Sequence, residues 1–412
     1  MKGINADKNI LEDVLLEYIY GSPARLKPPG LNIMASNVAR LSGLFTKGRE
    51  SLPKSYLKDK NLRSAYILYF LPSNLYKIHL PLKELSLHPE KPLLKERLKI
   101  LDIGSGPGTV VLGVMDFFTR QASPPFLEFT AVDAVEGNLR DAGELFKLYK
   151  DKSLASASLK TGRLNIENPE TIPEGHFDII IVSNLLNELF YDDAIAKRVD
   201  ILIKLMSQTM SEDGSCIIIE PALWETSREM LEVRDGLLKQ GLNIYPHTQK
   251  APNHYKNPSP SRVGVGVYSP CLICEPCPAL INPNDWCHED MPWTPPPLIK
   301  EIDKLTGLRK DSLKFSYLVL RKDNLSLSDI YGKESFRVVS EPLISKGKIE
   351  FYICGKGERK LITRLDKDKT TLNKAFNELN RGNVVCFEHL SDEGKRFRLG
   401  KDTGVFLKKP DS

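Results

Sequence analysis

The sequence predicts a mixed α/β chain with a helical N-terminal part, a doubly covered and largely parallel sheet, a cysteine-rich insertion and a small C-terminal β-barrel-like domain. Three observations predict it. From residue 98 short apolar strands alternate with amphipathic helical stretches. A glycine-rich turn joins the first of those strands to the first helix. Beyond residue 337 the rhythm changes to brief alternating strands separated by Gly-containing turns.

Residues 10–19 place apolar side chains at helical spacing, and 62–70 form a second apolar face that Pro72 is expected to stop. Strands are expected at 98–103, 126–133, 177–183 and 216–220, and helices at 109–120, 139–150, 192–210 and 226–240. Strands this uninterruptedly apolar are buried on both faces, which predicts a parallel sheet between helical layers. Residues 315–321 read as one more strand. The stretch 246–297 is rich in Pro, Asn, Ser and Cys, and a loop of that length is usually functional or disordered. Strands at 349–354, 359–365, 384–389 and 396–399 then suggest a small barrel or sandwich. The resulting domains are 1–97, 98–325 with the insertion at about 246–297, and 326–412.

The chain has 412 residues, 41% hydrophobic and 27% charged, with no apolar run long enough to span a bilayer. Its polar N-terminus lacks the look of a secretory signal or transit peptide, and seven cysteines argue against a disulfide framework, so a reducing compartment, the cytoplasm, is expected. The net charge of +5 is unevenly placed. Residues 331–412 hold 18 Lys and Arg against 12 Asp and Glu, whereas the remainder holds 40 against 41. A basic tail suggests a polyanion such as RNA, or simply a solvated lysine-rich surface. The basic stretch 47–63, with Tyr56 interleaved, is open to the same two readings.

The run Leu101-Asp-Ile-Gly-Ser-Gly-Pro-Gly-Thr109 carries glycines at 104, 106 and 108, G-x-G-x-G and not the dinucleotide G-x-G-x-x-G. Glycine is needed where the backbone turns sharply against a ligand. Asp102 can receive the ammonium of an amino-acid-bearing cofactor, with Ser105 inside the turn. Asp133, ending the next strand, can accept ribose hydroxyls, and Asn165 in Gly162-Arg-Leu-Asn165 can lie by an adenine. Over residues 98–321 these features resemble the class I S-adenosylmethionine-dependent methyltransferases. That fold does not settle the reaction. Val182-Ser-Asn-Leu-Leu-Asn-Glu-Leu189 stands where N-methyltransferases carry Asn/Asp-Pro-Pro-aromatic, and that motif is absent. Asn184, Asn187 and Glu188 are candidates for contacting cofactor or substrate, or else a capped helix start, and Glu220 is a further polar candidate. Cys216 and Cys386 lack the Pro-Cys setting of a cytosine-methylase nucleophile and are expected in the core.

Cys271, Cys274, Cys277 and Cys287 fall within 17 residues. Four such thiols can surround zinc or an iron–sulfur cluster; zinc sites usually use two separated knuckles, and crowding at one end favours iron–sulfur. The chain resembles the mitochondrial small-ribosomal-subunit assembly methyltransferase-like proteins and their bacterial relatives. The carriers are residues 101–109, Ser183-Asn-Leu-Leu-Asn-Glu-Leu189, Glu220-Pro-Ala222, the Pro270-Cys…Cys277-Pro…Asp285-Trp-Cys-His288 block and Arg49…Tyr56…Ala65-Tyr66. The resemblance implies a 4Fe–4S cluster on Cys271, Cys277, Cys287 and a distant Cys354, with S-adenosylmethionine bound as methyl donor or as structural ligand. It implies binding to small-subunit rRNA, a role in ribosome assembly, no membrane partner, a monomer off the ribosome, and a mitochondrial matrix location for eukaryotic relatives. Those relatives carry Cys-Pro-His where this chain has Cys271-Leu-Ile, and local spacing alone would choose Cys274 as a ligand. His288 follows a ligand and is expected either to hold it in place or to lie on the surface.

Overall fold

The structure, a computed structural model, describes residues 10–22, 30–46, 58–168, 172–190, 193–241, 265–273, 276–323 and 325–408. It forms two compact units, one from 1–82, 93–185 and 290–314, the other from 83–92, 186–289 and 315–412. The helices in chain order are α1 (Ile10–Tyr20), α2 (Gly30–Thr46), α3 (Lys60–Ala65), α4 (Leu71–Leu75), α5 (His79–Leu85), α6 (Thr109–Thr119), α7 (Glu136–Ser153), α8 (Ala194–Thr209), α9 (Trp224–Gly241), α10 (Pro297–Thr306) and α11 (Leu327–Tyr331). The strands are β1 (Arg97–Ile103), β2 (Phe126–Asp133), β3 (Ala157–Arg163), β4 (Phe177–Ser183), β5 (Met210–Pro221), β6 (Gly266–Ser269), β7 (Glu289–Pro292) and β8 (Ser312–Arg321). They continue as β9 (Phe336–Val338), β10 (Leu343–Ser345), β11 (Lys348–Gly355), β12 (Glu358–Leu365), β13 (Val384–Glu388), β14 (Ser391–Asp392), β15 (Arg396–Leu399) and β16 (Gly404–Lys408). No described helix is long and apolar enough to cross a membrane.

In the first unit four parallel strands run in the order β3-β2-β1-β4, with Ile100 level with Phe129 and Ile179. The C-terminal half of β1, from Ile100 to Ile103, is buried throughout, as a strand covered on both faces must be. The N-terminal helices are tied to this unit by side chains. Tyr18 donates to Asp141 of α7 at 2.7 Å, Arg63 lies 3.4 Å from the same carboxylate, and the Leu298 amide of α10 donates to Glu12 of α1. Pro72 does not stop its helix. Residues Tyr66–Phe70 form a π-helical turn, and α4 starts afresh with Pro72 in its first turn, where the missing N–H has no partner to lose. The strand β3 was not expected either: its sequence is polar and its exposed positions leave no apolar run to read.

In the second unit β5, β8 and β6 pair antiparallel in that order, which corrects the expectation of parallel neighbours here. Cys216 is fully buried on β5, level with Leu320. The C-terminal strands form one eight-stranded sheet in the order β14-β15-β12-β11-β9-β13-β16, with β10 on β11. Its core gathers Phe351, Ile353, Ile362, Phe376, Val385 and Leu399. Phe351 and Phe376 meet edge to face at 5.1 Å, and burying a ring of that size stabilises the fold by about 1.5–3 kcal/mol. Val385 packs into this core, so its neighbour Cys386 points to the opposite face of β13, half-buried and level with exposed Phe406. Alternation along the strand therefore removes Cys386 from the core, contrary to expectation.

A buried polar knot anchors this sheet within its unit. Arg337 of β9 donates to Glu84 at 2.8 Å and to Glu289 at 2.9 and 3.1 Å, and Tyr317 donates to Glu84 at 2.5 Å. Burial raises the carboxyl of Glu289 against the opposing pull of Arg337. Deleting one partner of such a knot strands a buried charge, at a cost of about 3–5 kcal/mol.

Candidate functional site

The glycine loop in the first unit folds back on the end of β2. The amides of Gly104 and Ser105 donate to the Val132 carbonyl at 2.8 and 3.0 Å, and the Gly106 amide donates to Asp133 Oδ2 at 2.9 Å. Gly104, Gly106 and Gly108 all have positive φ, +67°, +53° and +81°. Their surroundings differ. A Cβ at Gly104 would meet the Leu185 side chain at 2.7 Å, one at Gly108 would meet Ala142 at 3.1 Å, and one at Gly106 would meet nothing within 4 Å. The loop therefore has an open front at Gly106.

Asp102 lies beneath that loop, 1% exposed, and its Oδ2 has no hydrogen-bond partner among the described residues. Burial, reinforced by the charge of Asp133, pushes its carboxyl up to about 8. Asp133 is already engaged: Oδ1 accepts from the Val135 amide at 2.8 Å and from Asn138 at 3.1 Å, while Oδ2 accepts from Gly106. A carboxylate offers about four acceptor directions, so roughly one remains for a hydroxyl. Asn165 spends its side-chain oxygen on the Glu167 amide at 3.2 Å, a local turn.

Asn184 sits at φ +53° and donates to Ser183 at 3.3 Å. In the second unit Leu186–Glu188 is a single 3₁₀ turn, and the helix begins only at Ala194, so 184–188 is not a helix start. Glu220 accepts the Leu186 amide on Oε1 at 2.9 Å and the Asn187 side chain on Oε2. Both oxygens of this candidate catalytic acid thus hold the turn, while Glu188 is exposed.

Four thiols lie in the second unit within electrostatic reach of one another. Cys271 follows β6, Cys277 precedes a 3₁₀ turn, Cys287 precedes β7 and Cys354 lies on β11. Burial raises the Cys354 thiol, and Cys287, Cys271 and Cys277 raise it further. Burial likewise pushes Cys277 up to about 12, with Cys271 and Cys287 adding to it. Thiols that shift one another are electrostatic neighbours. Cys274 lies outside the described residues. Among the described residues no three His, Cys, Asp or Glu side chains are close enough to share one metal ion.

Arginines frame the thiols. Arg234, fully buried on α9, donates to the Ile273 carbonyl at 2.7 Å and to Asp235, which in turn accepts the Cys277 amide at 2.9 Å. Arg359 stands directly across from Cys354 on the neighbouring strand and donates to Asp285 at 2.8 Å and to the Trp286 carbonyl at 3.2 Å. Arg228 gathers the carbonyls of Asn282 and Asp285 at 2.9 and 2.7 Å. His288 stacks on Trp286 at 5.8 Å, and its carbonyl accepts from Arg381 at 2.9 Å. Sequence reasoning missed these arginines. The one available signal was Arg359, five residues beyond Cys354 across a glycine hairpin.

A family model described as mitochondrial small ribosomal subunit Rsm22 matches residues 63–384. The chain belongs to the Rsm22 family. Beyond that family, this Rsm22-family chain is similar to two curated proteins named fusarin C synthetase. The one from Gibberella fujikuroi is 28% identical over 127 residues, 30% of this chain and 3% of its own length. The one from Gibberella moniliformis is 34% identical over 94 residues, 22% of this chain and 2% of its own. The chain thus spans only a few per cent of the length of these relatives. Among solved structures, an O-methyltransferase family protein from Burkholderia thailandensis aligns at 12% identity over 75% of this chain and 71% of that one, with a TM-score of 0.33. The CMeT domain of the citrinin polyketide synthase aligns at 17% identity over 46% of this chain and 49% of that one, with a TM-score of 0.32.

Proposed function

We propose that this Rsm22-family protein is an S-adenosylmethionine-binding factor of the small ribosomal subunit that engages its RNA, transfers a methyl group to it, and carries a 4Fe–4S cluster on Cys271, Cys277, Cys287 and Cys354. The observation that carries the cofactor reading is the unpartnered Asp102 Oδ2, buried beneath a positive-φ loop whose Gly106 front is open. S-adenosylmethionine supplies, when bound, an activated methyl group. Asp102 takes the ammonium, Gly106 lets the backbone approach, and Asp133 keeps the loop shaped while retaining about one acceptor direction for a ribose hydroxyl. Glu220 is committed to the 186–187 turn and is not free to act as a base.

The cluster reading is supported by the donor chemistry. Four soft sulfurs influence one another electrostatically, and two buried guanidinium groups, Arg234 and Arg359, oppose the negative charge that four thiolates bring. A second reading, a non-catalytic RNA-binding scaffold that keeps fold and cofactor, is favoured by the engaged Glu220 and the missing N-methyltransferase motif.

Two measurements test the cofactor site and the reaction. Asp102 has its folded-state value, about 8, above its ordinary 3.8, so the free protein holds a proton there at neutral pH. That extra native proton means the carboxyl costs stability as pH rises from about 4 to about 8. An arriving ammonium favours the carboxylate. S-adenosylhomocysteine binding at pH 7 is therefore expected to release a proton and to tighten as pH rises towards 8. Calorimetry in buffers of different ionisation heat reads both. Asp102→Asn should abolish the proton release and weaken binding about ten- to a hundredfold. Methyl transfer to deproteinised small subunits, with Asp133→Ala as the control, then separates the two readings: cofactor binding without transfer leaves the scaffold.

A further inference from the structure

Part of the tail's basic character is neutralised in place: Lys348 by Glu350, Lys356 by Glu334, Lys360 by Glu358 and Asp392, Arg381 by Glu341, Arg396 by Glu393 and Arg398 by Asp368. Five exposed lysines, Lys346, Lys367, Lys369, Lys374 and Lys401, form no salt bridge among the described residues. They sit on three loops that hydrogen bonds join into one surface. The Asp366 amide donates to the Gly347 carbonyl at 2.9 Å, Thr370 donates to the Lys401 carbonyl at 3.0 Å, and buried Asn373 donates to the carbonyls of Asp368 at 2.9 Å and Gly400 at 3.2 Å.

Beneath these loops lies Arg364, 1% exposed. Its guanidinium donates only to neutral groups, the Asn373 carbonyl at 3.2 Å and the Asn377 side chain at 2.6 Å, and it rests 5.3 Å over the Phe376 ring. Its Nε has no partner, and no carboxylate forms a salt bridge with it among the described residues. The charge of Asp366 acts on it without an ion pair, and the buried cation adds to the field of the lysines above it. Asp366 and Asp402 are the acids in these stretches without a salt bridge, so six cations face two.

We propose that these loops, with Lys346, Lys367, Lys369, Lys374 and Lys401 over Arg364, are the surface that takes the phosphate backbone of RNA. The inference rests on the RNA reading above and locates it. Family membership in the small ribosomal subunit favours RNA as the polyanion over an anionic lipid surface. Lysines without carboxylates of their own bind phosphates as point charges and release counterions on doing so, which makes binding steeply salt-dependent.

The test uses the full chain, deproteinised small-subunit RNA and a salt series from 50 to 200 mM. One variant carries Lys367→Gln, Lys369→Gln and Lys401→Gln. A control carries Lys333→Gln, Lys395→Gln and Lys408→Gln, which removes three salt-bridge-free lysines from elsewhere on the same domain. The loop variant should bind RNA at least about tenfold more weakly, with the slope of log affinity against log salt reduced by about two, while the control moves less than about twofold. Both should melt as the parent does, because the lysines are exposed. Equal effects of the two triples would overturn the location and leave the RNA reading standing. No RNA binding by the parent would overturn both. Loss by the loop variant of binding to phosphatidylserine vesicles, with RNA binding unchanged, would overturn RNA as the occupant.

Discussion

Cys354→Ser is expected to leave the chain with little of its iron and acid-labile sulfide and to lower its melting temperature by at least about 5 °C. Burial, with neighbouring thiols adding to it, raises Cys277, Cys287 and Cys354, so without a metal these three thiols stay protonated; a metal centre would replace those protons with bonds. Cys354 is the proposed ligand furthest along the chain, on a strand whose other face, Phe351 and Ile353, builds the core of the C-terminal sheet. Losing it leaves the sheet held to the rest of its unit by the Arg337 knot and by Arg359, which still binds Asp285 and the Trp286 carbonyl. Cys386→Ser provides the control. That thiol faces away from the core on β13 and should change neither iron content nor melting by more than a degree or two, the effect of about 0.5 kcal/mol.

Gly106→Val is expected to reduce S-adenosylhomocysteine binding at least a hundredfold while lowering stability by only about 1–2 kcal/mol. At φ +53° any side chain costs strain, but a Cβ at this position meets nothing within 4 Å, so the protein can still fold around it. The branched side chain instead fills the open front where a cofactor must approach. Gly108→Val serves as the contrast. Its Cβ meets Ala142 of α7 at 3.1 Å, so it should cost stability first and binding second. Equal binding losses for equal stability losses at the two glycines would mean that the front of Gly106 has no ligand to admit.

The parts of this fold that announce themselves in sequence are those where burial fixes residue type. The strand 126–133 has the limits read from its apolar run, and α6 begins where Gly108 ends the loop. What depends on pairing partners stayed hidden. Nothing in Ser312–Arg321 tells its direction, and only the register with β5 makes it antiparallel. The polar β3 has no apolar signature, and Pro72 looked like a helix stop because a preceding π-helical turn cannot be inferred from residue types. At the candidate site, Asp102, the glycines and Asp133 were legible because backbone strain and buried charge demand particular residues. The engagement of Glu220 by the 186–187 turn was not, since 34 residues separate Leu186 from it. The local cysteine spacing pointed to Cys274, whereas Cys354, 67 residues beyond Cys287, entered only through family resemblance. Arg234 was invisible for the same reason, since it reaches the thiols only through tertiary structure.

One measurement bears most directly on the four-thiol centre that organises this account. The chain purified without oxygen is assayed for iron, acid-labile sulfide and zinc, alongside its visible spectrum. Iron and sulfide near four per chain, little zinc and a broad absorption band around 400 nm are the result expected of a 4Fe–4S protein. About one zinc per chain with no sulfide, or no metal at all in a folded protein, would contradict it.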